Sequence, residues 1–165
     1  MTMPGRAPGS GILGSVRVST KSDYALRALI EITLRDGVVS AEQVGASQDI
    51  PHGFLQSILA DLRRAGLVAS QRGQSGGWRM DTDPADISVA DVIRAVDGPL
   101  LSVYGVRPES VSYNESAKVL QTVWVAARHS LRSVFETVTI AALASGSLPA
   151  DVVARTVDED AWNPH

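Results

Sequence analysis

The stretch SQRGQSGGWRM, residues 70–80, decides the fold. Within it, Gly73-Gln74-Ser75-Gly76-Gly77 fits the G-x-S-x-G pattern of a hydrolase nucleophile elbow, which would make Ser75 a nucleophile. It fits equally well a glycine-rich turn between two short strands, flanked by Arg72 and Arg79. A nucleophile elbow has to run from a strand into a helix. Here Gly77 is followed by WRMDTDP, a strand and then a turn, and the histidines His52, His129 and His165 are not placed as a triad base. A chain of 165 residues also leaves little room for the large parallel sheet that such an elbow crowns. The stretch therefore reads as a hairpin, and Ser75 as a residue of its tip.

Working outward, LVAS before the turn and WRM after it are the two strands. Three helices precede them. STKSDYALRALIEITLRDG is amphipathic, capped by Ser19 or Thr20 and ended by Gly37. A short second helix opens at SAEQ, where Ser40 and Gln43 form a capping-box pair, although Gly45 inside it weakens the helix by roughly 1 kcal/mol against Ala. QDI is a tight turn in which Asp49 tolerates a left-handed backbone. Pro51 then starts the third helix, PHGFLQSILADLRRAG, whose Leu55, Ile58, Leu59 and Leu62 recur at helical spacing before Gly66 ends it. After the hairpin, VADVIRAVDG is a fourth helix with Ser88 and Asp91 as its capping pair, and residues 101–113 are an irregular linker.

Residues 114–146 read as one long helix. Leu120, Trp124, Ala127, Leu131, Val134, Val138 and Ala141 alternate in steps of three and four, a coiled-coil-like seam suited to a second copy of the chain. The seam could also pack on its own domain. Residues 1–15 read as a Gly/Pro/Ser-rich disordered leader and residues 147–165 as an acidic, mobile tail.

Composition narrows the function classes. Hydrophobic residues are 44% and charged residues 20%, ordinary for a globular protein, and no apolar run approaches the ~18 residues of a membrane span. With no cysteine there is no disulfide, thiolate metal site or cysteine nucleophile, and His129 has no second metal ligand three or four residues away. The expected compartment is the cytoplasm, and no metal or cofactor is expected. The net charge of −3 conceals an asymmetry, because residues 62–80 hold four arginines and no acid. A local basic face matters more for phosphate than the whole-chain charge.

Three helices with a tight turn between the second and third, followed by a hairpin, make a mainly α winged helix-turn-helix over residues 16–100. In such a fold the third helix enters the major groove and the hairpin reaches the neighbouring minor groove. The candidate base contacts are His52, Gly53, Phe54, Gln56 and Ser57, with Gln56 suited to adenine. A solvated helix face is the plainer reading of these positions. Arg72 at the wing tip suits a narrow minor groove, with Gly73, Ser75 and Gly76 beside it. Ser19, Thr20, Lys21 and Tyr24 are phosphate candidates at a helix N-terminus, and Arg63, Arg64 and Arg79 are candidates that could equally be solvated. Tyr104, Tyr113 and Trp124 could line a pocket for an unknown small-molecule effector, or be the aromatic core of a dimer interface.

VRVSTKSDYALRALIEI, DIPHGFLQSILADLRRAGLVASQRGQSGGWRM and ISVADVIRAVDGPL closely resemble the Rrf-two family of bacterial transcription regulators, the group of IscR, NsrR and CymR. The resemblance runs from about Val16 to Leu101. It implies a homodimeric, sequence-specific regulator, a repressor by preference, acting on a near-palindromic operator in double-stranded DNA and having no enzymatic activity. Val16 falls where family members begin, so the first fifteen residues read as extra. The long helix suits the family's dimerisation helix.

Two departures matter. Many members carry three cysteines between the fourth helix and the dimerisation helix, holding an iron–sulfur cluster, and here that segment is LSVYGVRPESVSY. Asp23 matches a carboxylate ligand of some members, but one carboxylate cannot replace several thiolates. The wing also has Gln74-Ser75 where Pro-Gly is common. The alternatives to DNA binding are a winged module that has become a protein-interaction domain and, more remotely, a small hydrolase using Ser75.

Overall fold

A computed structural model describes residues 17–164. The expected leader at 1–15 lies outside the described residues. The elements are α1 (Thr20–Arg35), α2 (Ala41–Gln48), α3 (His52–Arg64), β1 (Val68–Gln71), β2 (Gly77–Met80), α4 (Val89–Asp97), α5 (Val119–Phe135), α6 (Ile140–Ser145) and α7 (Ala150–Ala154). Short 3-10 turns lie at Pro84–Asp86, Pro108–Ser110 and Glu159–Trp162.

The helix boundaries follow from local chemistry. Ser19 caps α1 by accepting a hydrogen bond from the Ser22 amide, and Asp36 ends it in a left-handed conformation. Ser40 with Gln43 and Ser88 with Asp91 form complete capping boxes at α2 and α4. Each cap satisfies backbone donors that the helix leaves orphaned, a contribution of about 1 kcal/mol. Between α2 and α3, Asp49 is left-handed (φ 52°, ψ 44°), and the Ile50 amide donates to the Gly45 carbonyl at 3.0 Å. That return explains Gly45. A Cβ there would stand 3.2 Å from the Ile50 carbonyl oxygen and 3.5 Å from a Leu55 methyl.

α1, α2, α3 and α4 close round one core in which Leu29, Ile32, Leu55, Ile58, Leu59, Leu62 and Val92 are fully buried. Each such side chain contributes about 1.5–3 kcal/mol of hydrophobic free energy. The hairpin pairs antiparallel with Val68 opposite Met80 and Gln71 opposite Gly77. It is tied to the helices by Val39, which exchanges backbone hydrogen bonds with Trp78 at 2.9 and 2.8 Å.

The long helix is corrected at both ends. Instead of running from 114 to 146, α5 spans Val119–Phe135, residues 115–118 are turns, and the helix stops at Glu136. The chain then adds a short bridge to the winged domain. Val89 donates its amide to the Val138 carbonyl, Ile140 donates its amide to the Ile87 carbonyl (both 2.9 Å), and Thr139 caps α6. The cause is the run Thr137-Val138-Thr139-Ile140, four β-branched residues that favour an extended backbone. Val138 therefore leaves the seam and is buried against Val89 and Ile93, and Ala141 moves with α6, which packs on α1. The tail expected to be mobile carries α7, whose Val152 packs on the same cluster.

Gly77 (φ +155°) is the glycine that docks the wing on the helices, because an added Cβ would meet the Val39 carbonyl oxygen at 2.4 Å, whereas one on Gly76 would meet the wing's own Gln71 carbonyl oxygen at 2.4 Å. Gly77→Ala should therefore lower the melting temperature by several degrees, about 2–4 °C per kcal/mol lost in a chain of this size. Gly53→Ala, placed in open space on α3 with no such contact, should cost nothing measurable. Equal melting temperatures for the two variants would refute this account of the wing's docking.

Candidate nucleic-acid interface

α3 divides cleanly by face. Leu55, Ile58, Leu59 and Leu62 are buried, while His52, Gly53, Phe54, Gln56 and Ser57 are exposed together at its N-terminal half. Pro51 precedes it without a side-chain cap, so the first-turn amides have no side-chain acceptor from that position. Phe54 is 53% exposed and meets Tyr24 edge to face with centroids 6.0 Å apart. Arg27 lies 5.4 Å over the Tyr24 ring, pairs with Asp23 at 3.3 Å and donates to the Gln48 carbonyl. Tyr24 is thus a fixed aromatic shelf beside the exposed half of α3, braced by a cation.

Several of the basic and hydroxyl candidates turn inward. Lys21 pairs with Asp61 at 2.5 Å and donates to the Val96 carbonyl at 3.2 Å. Asp61 also pairs with Arg64 at 2.7 Å, and the Lys21 ammonium, then Arg64, hold its carboxyl below the ordinary carboxylate range. Ser19 and Ser22 both donate to the same oxygen of Asp97, so α4's last residue ties down the start of α1. Thr20 is exposed there. Arg63 stands 6.0 Å over Trp78, bracing the wing against α3, and Arg79 contacts Asp81 at 3.7 Å.

Arg72, Gly73, Gln74 and Ser75 are exposed at the wing tip, closed by a bond from the Gly76 amide to the Gly73 carbonyl at 3.0 Å. Ser75 sits in a turn between two strands, so the elbow's strand-to-helix geometry is absent. Among the described residues, α3's exposed face and the wing tip carry the expected contact residues His52, Gly53, Phe54, Gln56, Ser57 and Arg72, and Arg72 makes no ion pair.

Beyond the winged domain, α5 has no fully buried residue. Its inner side is held by polar contacts. Gln121 donates to the carbonyls of Glu109 and Val111, both at 3.1 Å, Arg128 pairs with Glu109, and Trp124 donates to the Tyr113 hydroxyl at 3.0 Å. Val119 (73%) and Val123 (52%) are exposed with Leu120 on the other side. The three aromatic residues do not enclose a pocket together. Tyr104 is 89% exposed, and a cavity of about 470 Å³ lies instead between α4, the linker and α5, lined by Arg94, Gly98, Pro99, Leu100, Leu101, Arg107, Glu109, Arg128 and Arg132. Arg132 and then Arg94 hold Glu136 down at about 2, so this bridge between α5 and α4 stays charged throughout the neutral range. Sequence reasoning missed the cavity because its residues come from three segments. The one local signal was the spacing of Arg128 and Arg132, one helical turn apart.

The description of the Rrf2 family, iron-dependent transcriptional regulators, matches residues 18–146. Rv1287 of Mycobacterium tuberculosis, named as a candidate HTH-type transcriptional regulator, is 41% identical over 146 residues, which is 87% of this chain and 90% of that protein. The chain is also similar to the solved structure of CymR, the global cysteine regulator of Bacillus subtilis, at 30% identity and a TM-score of 0.66, covering 78% of this chain and 96% of that one. A second solved structure, T. potens IscR, has 27% identity and a TM-score of 0.61 over 94% of this chain and 97% of the other. The iron dependence in the family's description finds no matching donors here. This sequence has no cysteine, and the described residues include no group of three His, Cys, Asp or Glu side chains able to hold a metal. Iron–sulfur clusters are held by cysteine thiolates, with other ligands standing in for some of them only.

The link from α4 to α1 gives a direct test. Asp97→Ala would leave the fully buried Ser22 hydroxyl without its acceptor, which costs roughly 1–3 kcal/mol. The urea midpoint of Asp97→Ala should fall accordingly, with Asp97→Asn, which keeps an acceptor oxygen, falling less. Two variants as stable as the parent chain would show that the contact is incidental.

Proposed function

The chain belongs to the Rrf2 family of transcriptional regulators, which bind DNA, and on that premise we propose that it is a homodimeric repressor acting on a near-palindromic operator in the cytoplasm, without an iron–sulfur cluster. The observation that carries this reading is the split of α3. Four apolar residues are sunk in the core, and His52, Gly53, Phe54, Gln56 and Ser57 face outward, while Arg72 is exposed at the wing tip. A helix so presented fits the major groove, and the hairpin reaches along the backbone. The absence of any cysteine in the sequence supports control that does not pass through a cluster. No helix among the described residues is long and apolar enough to cross a membrane.

The dimer reading rests on α5. Its exposed side carries Leu120, Val123 and Val119, and Ala127, Leu131 and Val134 are only partly covered, so a second copy would complete their burial. Two recognition helices related by a two-fold axis would meet half-sites one helical turn or a multiple apart.

The roles of Gln56 and Arg72 are separable by measurement. Gln56→Ala should cost about 1–3 kcal/mol of operator affinity and relax preference at one base pair. Arg72→Ala should weaken binding to all sequences and flatten the salt dependence by about one unit of slope. Gel shifts in which both variants bind as the parent does would remove DNA from this face.

Val123→Asp would place a charge in the proposed seam at a residue that is half exposed in the single chain, so folding should be unaffected. Sedimentation should show the parent as a dimer and the variant as a folded monomer with poor operator affinity. A parent that sediments as a monomer while binding its operator tightly would end the dimer reading.

A further inference from the structure

The cavity between α4, the linker and α5 has an uncommon lining. Arg94, Arg107, Arg128 and Arg132 contribute four guanidiniums, while Pro99, Leu100 and Leu101 supply an apolar wall. Its volume, about 470 Å³, falls in the range that takes small ligands. The counter-charges are fewer. Arg128 pairs with Glu109, Arg94 and Arg132 share Glu136, and Arg94 also meets Asp91 at 3.5 Å. Among the described residues Arg107 makes no ion pair, so four cations face three carboxylates. Of the three, only Glu109 belongs to the lining itself. Guanidiniums converging on a concave, partly apolar surface are suited to bind carboxylate or phosphate oxygens in paired hydrogen bonds.

We propose that this cavity binds a small organic anion bearing two or more negative charges, a polycarboxylate or a phosphate ester. Arg107 and Arg128 meet its charged groups, Arg94 and Arg132 flank it from the two helices, and Leu100 and Leu101 take its carbon skeleton. Glu109 is the intramolecular competitor, since it occupies Arg128 in the empty site. The site uses no residue of the DNA-facing surface and stands or falls independently of DNA binding.

The test is calorimetric titration of the full chain, without DNA and at constant ionic strength, with citrate in one arm and the phosphate ester glycerol 2-phosphate in the other. At least one should bind one per chain, and the arm that binds identifies carboxylate or phosphate chemistry. Arg107→Gln, whose side chain makes no ion pair and whose fold circular dichroism would verify, should weaken that binding about fivefold or more. Glu109→Gln leaves every arginine in place and removes the competitor, so it should tighten binding. Opposite signs from two neighbouring residues would not arise from general damage to the fold. Absence of binding in both arms, equal affinity in the parent and Arg107→Gln, or no tightening in Glu109→Gln would each overturn the proposal.

Discussion

Between α2 and α3 the chain turns back so tightly that the Ile50 amide bonds to the Gly45 carbonyl, Asp49 takes a left-handed backbone, and a Cβ on Gly45 would crowd the Ile50 carbonyl oxygen at 3.2 Å. Everything outward-facing on α3 depends on that passage. It sets the angle at which Leu55, Ile58, Leu59 and Leu62 enter the core, and so which residues remain outside. A glycine that looks costly inside an eight-residue helix is there because backbone and a leucine methyl occupy the space above it. The propensity cost of about 1 kcal/mol is offset by a turn that no larger residue would allow without displacing Ile50.

Charge around this turn is divided between holding the domain and facing outward. Lys21, Asp61 and Arg64 form one cluster, and Arg27, Asp23, Gln48, Glu31 and Arg35 form another that laces α1 to α2. The acid-free run at 62–80 therefore overstates the free basic surface, because Asp61, one residue before it, neutralises part of it. Within that run the arginines without an ion pair are Arg72 at the wing tip and Arg63, which stands over Trp78. A modest basic patch around specific side chains suits sequence reading better than indiscriminate attraction to phosphate, which would require many more free cations.

How much of this was legible depends on the range of the cause. Caps act over three residues, so Ser19, Ser40 with Gln43, Ser88 with Asp91 and the left-handed Asp49 were all readable from the chain. The hairpin was readable because its glycines and the strand after them exclude a helix. The end of α5 was not read, although its signal was local. The seam's spacing of three and four continues through Val138 and Ala141, and periodicity alone does not register that Thr137, Val138, Thr139 and Ile140 prefer to extend and pair with Ile87 and Val89. The inward use of Ser19 and Lys21, and the meeting of Arg94 with Arg128 and Arg132, were beyond reach. They join segments dozens of residues apart, and only the folded core sets those distances.

α4 is the element these long-range contacts share. Its last residue, Asp97, accepts hydrogen bonds from Ser19 and Ser22, and the Val96 carbonyl accepts one from Lys21, so its C-terminal end fixes the start of α1. One turn earlier Arg94 joins Glu136 at the end of α5, and immediately after Asp97 the chain enters the cavity wall at Gly98. A nine-residue helix transmits a shift at one end to the other because its backbone bonds do not stretch. The α4–α5 contact and the Ser19 and Lys21 end of α1, beside Tyr24 and Phe54, are therefore joined through one helix. An occupant of the cavity can bias DNA binding through this route only to the extent that its affinity differs between the two positions of α4. Two of the arginines provide such a difference, since Arg128 turning to an added anion would release Glu109, and Arg94 would release Glu136, the pairs that tie α5 to the linker and to α4.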